Sequence, residues 1–473
     1  MKKWITCCFA GTLLLAATVT AEHQYQKIVV KPAVSNQALK PVNQWEQPDK
    51  KALEDCGLGY FETSLPVLLI DTQHQQITKE NKIQASLAVL NQREDGQPRS
   101  ILETPDVQFP ITIKYRGASS YSQFDKKQYR IEFYEKKEHG KRLDYAFLGM
   151  GADSEWVLNG PFLDKTLMRN RLIYSLGREI FEWAPDSRYA EVFLDGEYQG
   201  VYLAVEPVTN GASRLRLSKF GLLSGETPYI VKRDRVGTEE NPLQTYGKTE
   251  GKTSNDLYIS YPSASRITER QKEWIEQDIS KFEQVLYSDY FADPQIGYAR
   301  YIDEKSFADY VVLNEAVMNQ DAGNLSTYIY QELGGEMQMT IWDYNNCYDN
   351  YQWFSQDFTR FFTDDKAWFG RLLQDRAFVD RVVSRYYELR SSTLSTEHIY
   401  ERIEQLEQEL GEAKERNFAV WGYSFYENML VRSDENANPD SCSAAMTQLK
   451  EAIEQRFAFL DAHIEDLYKN CIN

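Results

Sequence analysis

Asp321, Asn324, Asp343 and Asn345 are the residues whose types and spacing best suit a chemical task. They flank a short hairpin: Asn319-Gln320-Asp321-Ala322-Gly323-Asn324 leads into arms expected at 327–332 and 337–341, joined by Gly334-Gly335, and the second arm delivers Trp342-Asp343-Tyr344-Asn345. Phosphoryl transfer from ATP asks little covalent help of a protein. It needs an acid to position an in-line hydroxyl, and divalent metal held against the phosphates by Asp and Asn oxygens. In protein kinases an Asp, an Asn a few residues on, and a later metal-binding Asp supply those parts in that order. Asp321, Asn324 and Asp343 keep the order, with a tighter Asp-x-x-Asn spacing and without HRD or DFG triplets. The same residues permit two other readings. One is a capped loop and hairpin whose acids are simply solvated; the other is a glycoside hydrolase with paired carboxylates about 5 to 9.5 Å apart across an open groove.

Acids so placed need elements to hold them. A helix with Phe307, Tyr310, Val311 and Leu313 on its apolar side is expected to end near Met318, just before the first acid. Upstream, the runs 67–70, 109–115, 128–134, 189–194 and 198–205 are short and rich in β-branched and aromatic residues, which predicts strands. Asp195-Gly196 between the last two reads as a type I′ hairpin turn. One helix interrupts them, expected from Asp164 as N-cap with Met168, Leu172, Leu176 and Ile180 on its apolar stripe. Beyond about 263 the pattern is helical. Ile399, Ile403, Leu406 and Leu410 form one packing seam, and Leu449, Ile453, Phe457, Leu460, Ile464 and Leu467 form another. The expectation is an α+β chain with a β-rich N-terminal lobe over 61–262 and a helical C-terminal lobe over 263–473 that carries the hairpin.

Several cations could face the acids. Arg116 with the Gly117-Ala118-Ser119-Ser120 turn could cradle phosphates through a guanidinium and backbone N–H groups, and Lys127 follows on the next strand. Glu206 could pair with a phosphate-binding cation, and Lys232 is a further candidate. A charged hairpin on a solvated face is the plainer reading of Arg116, Ser119 and Lys127. The five scattered histidines give no HExxH or paired zinc spacing, and no GxSxG elbow occurs. Gly247 to Thr253 (GKTEGKT) imitates a phosphate loop, yet Tyr246 stands where Walker A needs glycine, and a surface loop is expected there.

The wider pattern is more specific than any one motif. Arg116-Gly117-Ala118-Ser119-Ser120, Lys126-Lys127-Gln128-Tyr129-Arg130, Trp156 with Leu158, Asp164 to Asn170, Asp195 to Tyr202 and Glu206 stand in one order, followed by Asn319, Asp321, Asn324 and Trp342-Asp343. This set resembles the CotH family, the spore-coat protein H type of secreted atypical kinase, over roughly residues 64 to 350. The resemblance implies an atypical protein-kinase-like two-lobed fold that moves phosphate from ATP, with Mg2+, to Ser or Thr of extracytoplasmic, surface or coat proteins. It implies Asp321 as the catalytic acid and Asp343 as the metal-binding one, with Asn324 and Asn345 as further metal donors. Where the family often has a second Asp two places after the WD aspartate, this chain has Asn345, which offers a carbonyl oxygen without charge. A non-catalytic pseudokinase scaffold of a surface or coat layer is the alternative that this departure favours.

Lys2 and Lys3, the apolar stretch from Trp4 through Leu15 and Val19-Thr20-Ala21 suit an export signal cleaved after Ala21, and residues 22–60 read as a loosely ordered arm. No later segment is apolar enough to cross a bilayer. The net charge of −18 becomes −20 once the two leader lysines are removed, since the leader holds no acids. Such a balance opposes nucleic acid as a partner. Cys56, Cys347, Cys442 and Cys471 remain, and in an oxidising compartment two disulfides are expected: Cys442 with Cys471, bracketing the last long helix, and Cys56 with Cys347.

Overall fold

The computed structural model describes residues 61–136, 140–219, 221, 223–237, 239, 241–425 and 439–473. The expected leader and arm, and with them Cys56, lie outside the described residues. The N-terminal β-rich region is a closed seven-stranded barrel. Its strands are β1 (Val67–Asp71), β2 (Ile83–Leu90), β3 (Val107–Arg116), β4 (Gln128–Phe133), β5 (Glu155–Asn159), β6 (Ser187–Leu194) and β7 (Glu197–Val205), in the order β1-β2-β3-β4-β5-β7-β6. Alternation decides which face is core. Phe109, Ile111 and Ile113 on β3 and Tyr129, Ile131 and Phe133 on β4 share one apolar cluster with Trp156 and Leu158, as a period of two requires. Parallel pairing of β1 with β6, Val67 opposite Glu191 through Ile70 opposite Leu194, closes the barrel and removes its open edges. Asp195 and Gly196 both take positive φ, +48° and +83°, as a type I′ turn demands.

Two helices sit on this frame: α1 (Ser119–Gln123) between β3 and β4, and α2 (Arg169–Ile180) between β5 and β6. The expected start of α2 at Asp164 is corrected to Arg169. Leu167, at φ +63°, breaks the helical path. Asp164 still serves the helix start, because its carboxylate accepts from the Arg169 amide at 2.8 Å, from the Thr166 hydroxyl at 2.6 Å and from the Arg169 guanidinium at 2.6 Å.

A second sheet positions the acids. Its members are β8 (Tyr229–Asp234), β9 (Asp256–Tyr261), β10 (Thr327–Gln331) and β11 (Gln338–Thr340), in the order β9-β8-β10-β11 with all neighbours antiparallel. The hairpin expected around Gly334-Gly335 is β10–β11, and through β10 it pairs with β8, a strand from before residue 262. Between β8 and β9, the GKTEGKT stretch contains a short helix, α3 (Tyr246–Thr249), which corrects the surface-loop expectation. Its anchor is the Gly247 amide, which donates to the Glu283 carboxylate at 2.6 Å on α4 (Glu269–Leu286). A phosphate-like loop is thereby occupied by an internal carboxylate.

The remaining helices include α5 (Glu304–Ala316), α6 (Arg376–Arg390), α7 (Thr396–Leu410), α8 (Ala413–Trp421) and α9 (Cys442–His463). α5 is buried on every side from Phe307 to Ala316, not along one stripe, because β11, α6 and α9 all pack on it. The seams expected on α7 and α9 are buried, as are Ile464 and Leu467 beyond α9. The Cys442–Cys471 pairing is overturned. Cys442 opens the 22-residue α9, about 33 Å of helical rise, and Cys471 lies beyond its far end, after the turn Ile464–Asn470; both thiols are free, whereas a disulfide needs Cα atoms within about 7 Å. Cys347 is likewise a free thiol, fully buried.

Glu315 at the end of α5 and Arg456 on α9 form an ion pair at 2.8 Å with both side chains fully buried. Glu315 also accepts from the Phe362 and Thr363 amides, and Arg456 donates to the carbonyls of Glu315, Phe358 and Arg360. Losing one partner strands the other charge in the core. Arg456→Met should therefore lower unfolding free energy in urea by about 3–5 kcal/mol, and Arg456→Met combined with Glu315→Gln should recover part of it.

Candidate active site

The first acid is set by the end of α5. Asn319 donates to the Asn314 side-chain oxygen at 2.7 Å and accepts from the Asp321 amide at 3.1 Å, so Asp321 hangs from a buried amide network. Asp321 then turns the chain, its carbonyl accepting from Asn324 at 3.0 Å and Leu325 at 2.8 Å. Gly323 takes φ +74°, and a Cβ there would meet Lys366 and Phe369 at about 3 Å, which restricts the position to glycine.

The second acid follows β11. Asp343 also has positive φ, +67°, and its amide donates to the Tyr174 hydroxyl at 3.1 Å. The next amide, of Tyr344, donates to the Asn170 side chain at 2.7 Å, and the Tyr344 hydroxyl reaches Asn314 at 3.2 Å. Arg169 donates to the carbonyls of Cys347 at 2.8 Å and Tyr348 at 3.3 Å. Arg169, Asn170 and Tyr174 all belong to α2. One helix edge thus fixes the backbone that carries Asp343, and Asn314 joins it to the network that carries Asp321.

The first acid feels the second. Burial, then the charge of Asp343, pushes the Asp321 carboxyl up to about 6, while Arg235 and a 3.4 Å hydrogen bond from Asn346 oppose the rise. Burial also raises Asp343; Arg116 and Arg235 lower it, Asp234 raises it, and a hydrogen bond with Ser326 lowers it. Arg116 is near enough for its charge to lower Asp343. Its guanidinium lies 5.4 Å from the Trp342 ring and donates to Gln128 at 2.7 Å.

The other expected site residues are placed differently. Ser119 opens α1, after a Gly117 at φ +95°. Lys127 donates to the carbonyls of Tyr121 at 2.7 Å and Phe124 at 2.6 Å, so its ammonium pins α1. Glu206 pairs with the buried Arg214 at 2.7 Å and accepts from the Asp186 amide at 3.0 Å. Lys232 bridges Glu239 at 2.5 Å and Asp234 at 3.6 Å. Asn324 and Asn345 are partly exposed on either side of the hairpin; the Asn345 amide reaches Asn346 at 3.3 Å. Asp234 and Arg235 had no assigned role in the sequence reading. Their signal was faint: they end a run of four charged residues, Lys232 to Arg235, that closes β8.

Among the described residues no three His, Cys, Asp or Glu side chains converge into a metal site of their own. A magnesium site does not require that. Mg2+ is commonly bound by one or two carboxylates, with waters and substrate phosphates completing the octahedron. Asp343, Asn324 and Asn345 carry oxygen donors of the kind such an ion takes.

Comparison with known proteins converges on one family. The model of the family described as CotH kinase protein matches residues 113–460, well over half of the chain. The chain is also 29% identical over 175 residues to the inner spore coat protein H of Bacillus subtilis (strain 168), covering 35% of this chain and 44% of that protein. The aligned part is therefore less than half of the relative's length.

The raised Asp321 carboxyl has a thermodynamic consequence. Its folded value of about 6 exceeds the ordinary aspartate value of about 3.9. Between the two the folded chain keeps a proton that the unfolded chain has released. The contribution to stability is complete below about pH 4 and is lost as pH rises through about 6. Asp321→Asn removes that loss. Thermal melts should show the variant more stable than the parent at about pH 7.5, with the gap closing below about pH 4; a gap independent of pH would contradict the buried carboxyl as its cause.

Proposed function

Because this chain belongs to the CotH kinase protein family, we propose that it transfers the γ-phosphoryl group of ATP, with Mg2+, to Ser or Thr hydroxyls of proteins outside the cytoplasm. The observation that carries the reading is the placement of Asp321 and Asp343 at the open end of one hairpin, held by one hydrogen-bonded network. A carboxyl near 6 is largely ionised at neutral pH yet basic enough to take up a proton, which suits Asp321 to orient an acceptor hydroxyl and receive its proton. Asp343, with the carbonyl oxygens of Asn324 and Asn345, would hold Mg2+, which neutralises charge on the phosphates when bound. Arg116 beside Trp342 would meet the phosphates from the barrel side. Asp234 adds negative charge that raises both acids.

The name of the Bacillus relative supports a coat or surface location, and the N-terminal leader pattern supports export. Acceptors would be proteins with exposed Ser or Thr in that layer. No helix among the described residues is long and apolar enough to cross a membrane.

A non-catalytic scaffold is the second reading. Asn345 favours it, as does the engagement of Lys127 and Lys232 by internal partners. Incubating the chain with labelled ATP and Mg2+ separates the two. Label should appear on the chain itself or on co-exported proteins. Asp321→Asn should abolish transfer while largely keeping ATP binding, and Asp343→Asn should weaken metal-dependent binding as well. Metal-dependent ATP binding without any transfer by the parent would favour the scaffold.

A further inference from the structure

Of the two cations whose charge acts on the acids, Arg116 and Arg235, the second has no side-chain partner among the described residues. Arg235 follows the last residue of β8 and is exposed, and among the described residues its guanidinium makes no hydrogen bond or ion pair. The neighbouring cations are engaged: Arg116 by Gln128, Lys127 by two backbone carbonyls, Lys232 by Glu239 and Asp234. Its backbone is not free. The Arg235 amide donates to the Asp234 carboxylate at 2.9 Å, and its carbonyl accepts from the Tyr258 hydroxyl at 3.0 Å.

The register of the sheet says where the side chain starts. β8 and β10 pair antiparallel with Arg233 opposite Thr327. Carried on, that register sets Asp234 level with Ser326 and Arg235 level with Leu325. Arg235 therefore leaves its strand beside the loop that follows Asp321. Its positive charge acts on both Asp321 and Asp343, and on Tyr351. An exposed guanidinium left unpaired near two half-buried carboxylates suits a third, anionic visitor. Arginine presents its donors in a fixed fork that matches phosphate oxygens.

We propose that Arg235 is a catalytic residue that binds the phosphoryl group in flight from ATP. The inference rests on the phosphotransfer reading above. In that step the acceptor hydroxyl oxygen bonds to the γ-phosphorus as the bond to the β,γ-bridging oxygen breaks. The hydroxyl proton passes to the Asp321 carboxylate, and ADP departs with the electron pair of the broken bond. Arg235 forms no covalent bond; its N–H groups meet the non-bridging oxygens, where charge shifts during transfer.

Arg235→Ala tests this in the full-length chain. Label transfer from ATP with Mg2+ at saturating nucleotide should fall by about 10²–10³-fold, with magnesium-ADP affinity and melting temperature unchanged. Arg235→Lys should retain part of the rate, and added guanidinium should restore part of it to Arg235→Ala. A parent-like rate, or a loss of rate matched by losses of ADP affinity and melting temperature, would overturn the role. If the parent itself transfers no label, the phosphotransfer reading fails, and the contact is then judged by binding alone. Arg235→Ala should lower affinity for a non-hydrolysable ATP analogue more than for ADP; an unchanged ratio of the two overturns the contact.

Discussion

Asp343 holds its backbone at φ +67°, and Tyr348 and Asp349 hold theirs at +50° and +57°. Non-glycine residues in that region carry about 1–3 kcal/mol of strain each and keep it only where their surroundings over-determine them. Here the determining contact is one edge of the helix Arg169–Ile180. Tyr174 and Asn170 take the amides of Asp343 and Tyr344, and Arg169 takes the carbonyls of Cys347 and Tyr348. The helix can come this close because Gly177 offers no side chain towards Ile341. Without that grip the second acid would have no fixed direction.

The same contact reaches the first acid through Tyr344 and Asn314. The two carboxylates are thus oriented together. Their electrostatic situation is unfavourable in the isolated chain, since burial raises both and Asp343 and Asp234 raise Asp321 further. Arg116 and Arg235 offset only part of this. A site that concentrates negative charge, holds it rigidly and leaves oxygen donors open is suited to a divalent cation with its phosphate ligands.

Much of this was legible in the sequence, and the residues explain where it was not. The hairpin, its glycine turn and the two acids could be read because each depends on local chain chemistry. β5 escaped because all five of its residues are buried, so no alternation marks it. The pairing of β8 with β10 joins residues about a hundred positions apart, which no local pattern announces. Lys127 and Glu206 were expected near the nucleotide from their places on the strands, and no local pattern announces the internal partners they have, the Tyr121 and Phe124 carbonyls and Arg214. Lys126 and Asp164, part of the pattern that resembles the family, act the same way. Lys126 donates to Asn417 and to the Val201 carbonyl, clasping α8 to the barrel. Much of that pattern marks a scaffold. The pairing of Cys442 with Cys471 failed because parity ignores distance, and the long helix α9 stands between the two.

The central claim is that Asp321 and Asp343 form one metal–nucleotide site. It is tested most directly by crystals of the chain grown with Mn2+ in place of Mg2+ and a non-hydrolysable ATP analogue. An anomalous peak should lie at about 2.1 Å from an Asp343 carboxylate oxygen, with the terminal phosphate between that ion and Asp321. Nucleotide bound elsewhere, or an ion that leaves Asp343 uncoordinated while the phosphates are ordered, would contradict the account.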